Sequence, residues 1–213
     1  MVGELDGPHI GIGRAPSLES HACRVVVQCC LVTPPLNSGS GVIMTGRITN
    51  PLTECIEMAM AFIHQHGGAV AKMMNVEGKR TLRWVKKGLR DLHVHVEEYG
   101  WEPVSKSEYM GAVVMAMISL FVGRRPYPDA AILGEANPCG MLVGTFDWKD
   151  CGRNSVERWR GGGIRHLVIA NDSKIDWSVV QMLSSIQSDG KPLVQLHRAK
   201  TIQEGIPYLF PMP

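Results

Sequence analysis

The chain has 213 residues, of which 45% are apolar and 20% are charged, a balance typical of a soluble globular protein with one sizeable core. Its formal net charge of +2 is too small to indicate a nucleic-acid partner or a polybasic membrane anchor. The longest apolar run, residues 110–122, is shorter than the roughly 20 residues of a spanning helix, and the first residues lack the pattern of a signal peptide.

Cysteine use indicates a reducing environment. Cys29 and Cys30 are adjacent in an apolar, strand-like stretch. The cysteines lie at positions 23, 29, 30, 55, 139 and 151, and no pair has the CxxC spacing of a metal or redox site. We therefore expect reduced thiols in an intracellular protein.

The first part of the chain predicts two strands and a helix. Apolar stretches at 23–33 and 41–46 predict strands, separated by prolines and a Gly/Ser-rich turn. Asn50-Pro51 is a typical helix start, and the apolar residues that follow recur on one wide face. The pair Gly67-Gly68 is predicted to end this helix, and the basic residues 72–90 to form an exposed connection.

The middle of the chain predicts a strand, a buried helix and two short strands. Residues 89–96 alternate strictly between apolar and polar side chains, which is typical of a half-buried strand. After a loop, Ser107 precedes an apolar run that ends at Phe121 and indicates a buried helix. Residues 129–134 and 141–146 are predicted as short strands joined by a turn.

The remaining residues predict further helices alternating with strands. Lys149 precedes a polar helix predicted over 150–160, and the glycines 161–163 are predicted to end it. A buried strand is predicted over 164–170, an amphipathic helix over 176–187 and a last strand over 192–197.

Strands interleaved with helices predict an α/β or α+β fold. Residues 1–20, rich in Gly, Pro and Ser, predict an irregular N-terminal arm. Residues 21–213 are predicted to form a single domain, and its tail from 205 to 213 is apolar and proline-rich.

Ser107 and Lys149 could together perform nucleophilic catalysis. A lysine has an ordinary pKa of about 10.4, so it accepts a proton at neutral pH only where burial, nearby positive charge or a helix N-terminus lowers that pKa. Phe146 and Trp148 offer apolar surroundings, and the predicted helix start offers the dipole. A neutral Lys149 amine could take the hydroxyl proton of Ser107, and free N–H groups at the helix start could hold the oxyanion.

Both residues also have structural interpretations. A serine before a helix is commonly an N-cap, and a lysine beside a tryptophan commonly packs its stem on the ring. Ser105, two residues earlier, competes with Ser107 as the nucleophile.

Three further groups of residues were weighed for chemistry. His93 and His95 lie on the same side of the alternating strand and could bind a metal, but no third ligand lies at a recognisable spacing. Cys139 with a histidine could form a cysteine-protease pair, although its Pro-Cys-Gly turn favours a structural role. The glycines 161–163 lack the pattern of a phosphate loop. We predict no metal and no cofactor.

Three stretches resemble the proteolytic domain of the Lon family. Residues 41–59, GVIMTGRITNPLTECIEMA, resemble its segment with a Thr-Gly turn and a following helix that contains glutamate. Residues 91–96, DLHVHV, resemble the Asp-x-His-x-His-x strand before its catalytic serine. Residues 161–169, GGGIRHLVI, resemble its Ala-Gly-Ile-Lys-x-Val-Ile strand after the lysine helix.

Within that clan the chain resembles the polyprotein-processing proteases of birnaviruses. Residues 134–140, GEANPCG, resemble that family's Gly-Ala-Leu-Asn-Ala-Cys-Gly turn, and residues 206–211, IPYLFP, resemble its Leu-Pro-Tyr-Leu tail. The similar stretches occur in the same order and together cover most of residues 41–211.

The resemblance implies a single Lon-like domain and a serine endopeptidase with Ser107 as nucleophile and Lys149 as general base. It implies cleavage of a viral polyprotein, including at its own termini, after small residues and without ATP, in the host cell cytoplasm. The substrate is then an extended polypeptide, which we expect as an added strand beside residues 90–97 or 128–134. The apolar tail is then the remnant of a self-cleaved terminus and could mediate self-association; no nucleic-acid or membrane partner is implied.

Two departures from the Lon pattern leave alternatives open. Glu108-Tyr109 follow Ser107 where the family has Ala-Gly, which keeps Ser105 as a competing nucleophile. Leu133 replaces the family threonine that hydrogen-bonds the lysine, so the group that would orient Lys149 is unidentified. The alternative hypothesis is therefore a catalytically inactive Lon-fold module for binding or assembly.

Overall fold

The computed structural model of the protein describes residues 11–16, 24–32, 42–46, 50–76, 91–97, 106–145, 148, 151, 153–185 and 194–213. Within these residues the chain forms a mixed α/β domain with five helices, a four-stranded sheet, a three-stranded sheet and a two-stranded ribbon. The predicted fold class is confirmed. No helix in the described ranges has the length and hydrophobicity needed to cross a membrane.

The first sheet is formed by strands from the first half of the chain. Its strands are β1 (Gly11–Pro16), β2 (Arg24–Val32), β3 (Val42–Gly46) and β4 (Asp91–Glu97). They lie in the order β1-β2-β4-β3. β2 is antiparallel to both of its neighbours, whereas β3 runs parallel to β4.

Strand β4 has the half-buried character that its sequence predicts. Leu92, Val94 and Val96 are buried, whereas His93 and His95 between them are only partly buried. Because successive side chains of a strand point to opposite faces, the apolar residues line the core and the histidines lie on the outer face.

Two long helices cover the inner face of this sheet. They are α1 (Asn50–Met73) and α2 (Lys106–Val122). Every residue of α2 from Tyr109 to Leu120 is buried, because the helix contacts α1, β1 and β2 at once. A helix enclosed in this way is apolar on all sides, which explains why its sequence shows no polar face. The predicted buried helix is confirmed.

The second half of the chain forms a parallel sheet with its own helices. Its three strands are parallel and lie in the order β5 (Ala130–Leu133), β8 (His166–Ala170) and β9 (Gln195–Ala199). A separate antiparallel ribbon is formed by β6 (Glu135–Ala136) and β7 (Leu142–Val143). The helices are α3 (Arg153–Gly161), α4 (Trp177–Ser184) and α5 (Ile202–Leu209).

The parallel sheet separates two buried clusters. Ala130 and Ile132 of β5 belong to the cluster that contains α1 and α2, whereas Ala131 and Leu133 belong to a second cluster with Trp148. Both faces of β5 are therefore covered, as is usual for a parallel strand.

The glycines after α3 end that helix as predicted. The Ile164 N–H donates to the Trp159 carbonyl at 2.9 Å, and the Gly163 N–H donates to the Arg160 carbonyl at 2.9 Å. Gly163 has a φ of 83°, the left-handed conformation that glycine adopts without strain. These bonds form a Schellman motif, and they turn the chain towards β8.

The prediction that Gly67-Gly68 ends the first helix is wrong. Helix α1 continues to Met73, and Val70 and Met74 beyond the glycines are fully buried. Gly67 lies against the Phe121 ring, so the tertiary packing of this face outweighs the low helix propensity of glycine. Residues 77–90 of the predicted connection lie outside the described residues.

The two adjacent glycines give a matched pair of stability predictions. A Cβ at Gly68 would meet nothing within 4 Å, so we expect Gly68→Ala to raise the free energy of unfolding by about 0.5–1 kcal/mol. A Cβ at Gly67 would lie 3.0 Å from the Phe121 ring, so Gly67→Ala should gain less or lose stability. Urea unfolding of both variants tests this order, which equal midpoints would contradict.

The predicted irregular arm is wrong for Gly11–Pro16. All residues of this stretch pair with β2 along the edge of the first sheet, and Ala15 is fully buried. Burial on α2 outweighs the weak strand propensity of its glycines and proline. Residues 1–10 and 17–20 lie outside the described residues.

No sequence pattern predicts α5, because Pro207 lies inside it. Thr201 caps the helix by accepting a hydrogen bond from the Glu204 N–H at 3.2 Å. Ile206 and Leu209 are buried on one face of this helix. The apolar residues predicted as a tail thus pack in part against the chain's own core.

Candidate active site

The predicted nucleophile lies at the start of the buried helix. Helix α2 begins at Lys106, so residue 107 is in its first turn. Ser105 and Lys149 lie outside the described residues, as does the side chain of Ser107. The first N–H groups of a helix have no intrahelical acceptor, so the start of α2 offers backbone donors of the kind predicted for an oxyanion.

A close contact between α2 and β5 locates this helix start within the domain. A Cβ on Gly111 would lie 2.5 Å from the carbonyl oxygen of Ile132, so the helix backbone rests directly on β5. Helix α2 also contacts β6, the strand that directly follows β5. Residue 107 is about one helical turn before Gly111, so its backbone lies close to the contact between α2 and β5.

Trp148, directly before Lys149 in the sequence, and Cys151, two residues after it, are buried. Trp148 is 2% exposed and Cys151 is 3% exposed, and both pack in the second cluster with Leu133. The Cys151 N–H donates to the Trp148 carbonyl at 3.1 Å. Burial raises the pKa of the Cys151 thiol to about 12, so the surroundings of this thiol disfavour a charged group.

The predicted start of the helix after Lys149 is wrong. Helix α3 begins at Arg153 rather than at Asp150. Cys151 packs in the second cluster and is not part of the helix. The effect of a helix dipole falls off within about one turn, so a helix that starts four residues after Lys149 in the sequence gives less support to a lowered lysine pKa than the predicted start at Asp150.

The helix start and the Trp148 segment lie on opposite sides of β5. Helix α2 belongs to the first cluster with Ile132, and Trp148 belongs to the second with Leu133. Groups from the two sides can approach each other past the carboxyl end of β5, at Gly134. There the chain bends, and Gly134 has a φ of 141°. This end of the strand is the candidate active site.

Polar groups that the sequence did not single out lie at this end. The Thr145 hydroxyl donates to Glu135 Oε1 at 3.0 Å, and the Gly144 N–H donates to Asp172 Oδ1 at 2.9 Å. Leu133 is 1% exposed in the second cluster and carries no hydrogen-bonding side chain. Thr145, Glu135 and Asp172 form no motif with a recognisable spacing in the sequence, which is why the sequence did not identify them as candidates.

Both histidines of β4 lie within hydrogen-bond distance of the same threonine hydroxyl, and they form no recognisable metal site with other described residues. Thr45 Oγ1 lies 2.7 Å from His93 Nε2 and 2.9 Å from His95 Nδ1. Thr45 is on β3, directly beside His95 in the parallel register. Among the described residues, no group of three or more His, Cys, Asp or Glu side chains could hold a metal ion.

The cysteines show no feature of a cysteine-protease site in the described ranges. Cys139 is an exposed free thiol in the turn before Gly140, and no hydrogen bond between described residues joins it to a histidine. The buried cysteines Cys29, Cys55 and Cys151 are also free thiols.

One of the two predicted docking edges for an extended substrate is wrong. Strand β4 pairs along its length with β2 on one side and with β3 on the other. Residues 90–97 therefore have no open edge for an added strand. Strand β5 has β8 as its ladder partner among the described strands, so residues 128–134 stay a candidate edge.

Comparison with known proteins identifies no relative: no protein-family model matches the chain, and no curated protein matches it.

Proposed function

We propose that this chain is a serine endopeptidase with Ser107 as nucleophile and Lys149 as general base. The observation that carries the proposal is the arrangement at the carboxyl end of β5. Helix α2, which carries residue 107 in its first turn, contacts Ile132 of β5 from one side through Gly111. Trp148 is anchored on the other side of the same strand, and it directly precedes Lys149 in the sequence.

The burial of this segment supports a lysine that acts as a base. The thiol of Cys151, two residues from Lys149, has a pKa raised to about 12 by burial. The same loss of solvation favours the neutral form of a lysine, and so lowers its pKa. The amine then takes the Ser107 hydroxyl proton while the oxygen attacks a peptide carbonyl. The protonated amine returns that proton to the leaving amine, and water releases the acyl group.

The substrate class follows from the family resemblance and is part of the proposal. A viral polyprotein would bind in extended form beside residues 128–134 and be cut after small residues, in the cytoplasm of the host cell. Self-association through residues 205–213 would engage the exposed part of α5, since its buried face already packs on the core.

Labelling with a fluorophosphonate, followed by tryptic digestion and mass spectrometry, tests the nucleophile directly. Trypsin cuts after Lys106, so Ser105 and Ser107 fall in different peptides. The proposal expects one label, on the peptide that begins at Ser107. A label on the peptide that ends at Lys106 would move the nucleophile to Ser105.

The alternative function is an inactive module for binding or assembly. It is favoured by the start of α3 at Arg153, four residues after Lys149 in the sequence, and by the apolar Leu133. Absence of a label on both peptides, with a known serine protease labelled in parallel, would favour the inactive module over the endopeptidase.

A further inference from the structure

A ladder of three rings lies outside the candidate active site. His166 Nδ1 and His197 Nε2 are 3.1 Å apart, a hydrogen-bond distance, and the ring centroids are separated by 5.3 Å. Tyr208 stacks on the other side of His197, with centroids 3.9 Å apart and planes within 18°. The two histidines are on neighbouring parallel strands, and Tyr208 is near the end of α5.

The ladder joins the end of α5 to the sheet. Gly205 rests on Val168, where a Cβ would lie 2.9 Å from a methyl group of that side chain. Beyond the helix, the Tyr127 N–H donates to the Leu209 carbonyl at 2.8 Å. Tyr208 itself is 42% exposed, so its main described contact is the His197 ring. The ring contact therefore adds to the burial of Leu209 and Phe210 in holding this end of the helix on the domain.

The charged groups around the pair are mostly cationic. The Asp129 carbonyl accepts hydrogen bonds from the Arg165 and His166 N–H groups, which brings one carboxylate and one guanidinium close to the strand. The charged and titratable residues on the surrounding elements are Arg14 on β1, Arg124, Arg125, Tyr127 and Asp129 before β5, Arg165 before β8, Arg198 on β9, Lys200 after it, and Glu204 and Tyr208 on α5.

The hydrogen bond within the pair limits how many protons it can hold. One ring must donate and the other must accept, so the bond survives with one extra proton but not with two. A second proton would remove the acceptor and place two positive charges on adjacent rings. Stacking of a charged His197 on Tyr208 offsets this only in part, since an exposed cation–π contact contributes about 0.5–1 kcal/mol.

We propose that His166, His197 and Tyr208 form an acid-sensitive latch that holds the end of α5 and the residues after it on the domain. In neutral solution the paired rings support Tyr208. In acid the pair separates, and the segment 208–213, which includes the buried Phe210, opens more often while the sheet stays folded. The latch does not depend on the proposed peptidase activity.

The direction of titration agrees with this arrangement. The pKa of His197 is lowered, first by burial and then by the charge of His166. At high pH, a histidine whose pKa is lower in the latched state is neutral in both the latched and the open state, so it does not change the balance between them. As the pH falls through the ordinary value of about 6.5, protonation favours the open state, so the latch weakens towards acid.

Hydrogen exchange of the whole chain, corrected for intrinsic rates, tests the latch. The reporters are the Phe210 N–H, bonded to the Ile206 carbonyl at 2.9 Å, and the Tyr127 N–H. The reference is the Met74 N–H at the end of α1, bonded to the Val70 carbonyl at 3.0 Å. Protonation of one histidine with an ordinary pKa of about 6.5 in the open state can change the opening equilibrium by at most about tenfold between about pH 7.5 and pH 5.5, so we expect reporter protection to fall by up to about tenfold relative to the reference.

Two variants separate the latch from general acid sensitivity. His166→Gln keeps a neutral hydrogen-bonding side chain, so the loss of protection in acid should shrink to below about threefold. His93→Gln removes a histidine from the other sheet and should behave as wild type. An equal loss of protection in His166→Gln and wild type, or a loss that the Met74 reference shares, overturns the proposal.

Titration of the histidine ring protons by NMR decides the matter if His166→Gln does not fold. The latch requires that His197 in the wild type titrates below the ordinary value, in the direction that its burial and the charge of His166 give. Titration of His197 at the ordinary value overturns it.

Discussion

Replacement of Ser107 by alanine is expected to lower the rate of peptide cleavage at least about a thousandfold, which corresponds to about 4 kcal/mol of transition-state stabilisation. Without the hydroxyl, no acyl-enzyme can form, and only substrate binding and backbone donors remain. Alanine is the best helix former, so α2 should keep its place. Cleavage of a polyprotein junction, followed by intact mass, measures the effect, and circular dichroism verifies folding.

Serine controls for this experiment are available in the same chain. Ser178 is an exposed serine in the first turn of α4, so Ser178→Ala matches the change in chemistry and in helix position. It should cleave at the wild-type rate. Ser105→Ala should also remain active if Ser107 is the nucleophile. Activity of Ser107→Ala within about threefold of wild type would refute the assignment.

The lysine variants distinguish a base from a fixed positive charge. Lys149→Ala and Lys149→Arg should both lose activity to the same extent as Ser107→Ala, because a guanidinium stays protonated and cannot accept the hydroxyl proton. Lys174→Arg, a change at an exposed lysine, serves as the matched control. If Lys149→Arg kept most of the activity, the residue would act through its charge, and the dyad mechanism would be wrong.

The elements that the sequence predicted best are those whose hydrophobic pattern or helix end is determined by residues nearby in the sequence. The alternation of β4 and the glycine stop after α3 reflect local burial and local backbone conformation, and both predictions are confirmed. Helix α1 and strand β1 were mispredicted because their packing partners come from elsewhere in the chain. Gly67 packs against Phe121, and Gly13 packs against α2. Both partners lie too far along the chain for a local sequence pattern to reveal the contact.

The candidate site could be predicted only in part for the same reason. The position of residue 107 at a helix start follows from the apolar run after it, and α2 confirms that start. The delayed start of α3 results from the burial of Cys151 in a cluster that includes β5, which a local pattern cannot predict. The enclosure of β4 likewise depends on β2 and β3, which pair with it across long sequence separations.

Gly13→Ala is expected to be the most destabilising single-methyl change in the described part of the chain. A Cβ there would lie 1.7 Å from the carbonyl oxygen of Ala112 and 2.7 Å from the backbone nitrogen of Ala116. Both atoms belong to the backbone of α2, so no side-chain rotation can relieve the overlap. Either β1 leaves the sheet edge or α2 moves outward, and each loses buried apolar contacts.

We expect this loss to exceed about 4 kcal/mol, among the largest effects of point mutations. For a domain of this size, it lowers the melting temperature by about 10 °C, which thermal unfolding measures. Gly68→Ala adds the same methyl group in open space and should not lower it. An unchanged melting temperature for Gly13→Ala would mean that β1 does not pack on α2. Since α2 also carries residue 107, cleavage by Gly13→Ala should fall even at temperatures where the variant is folded.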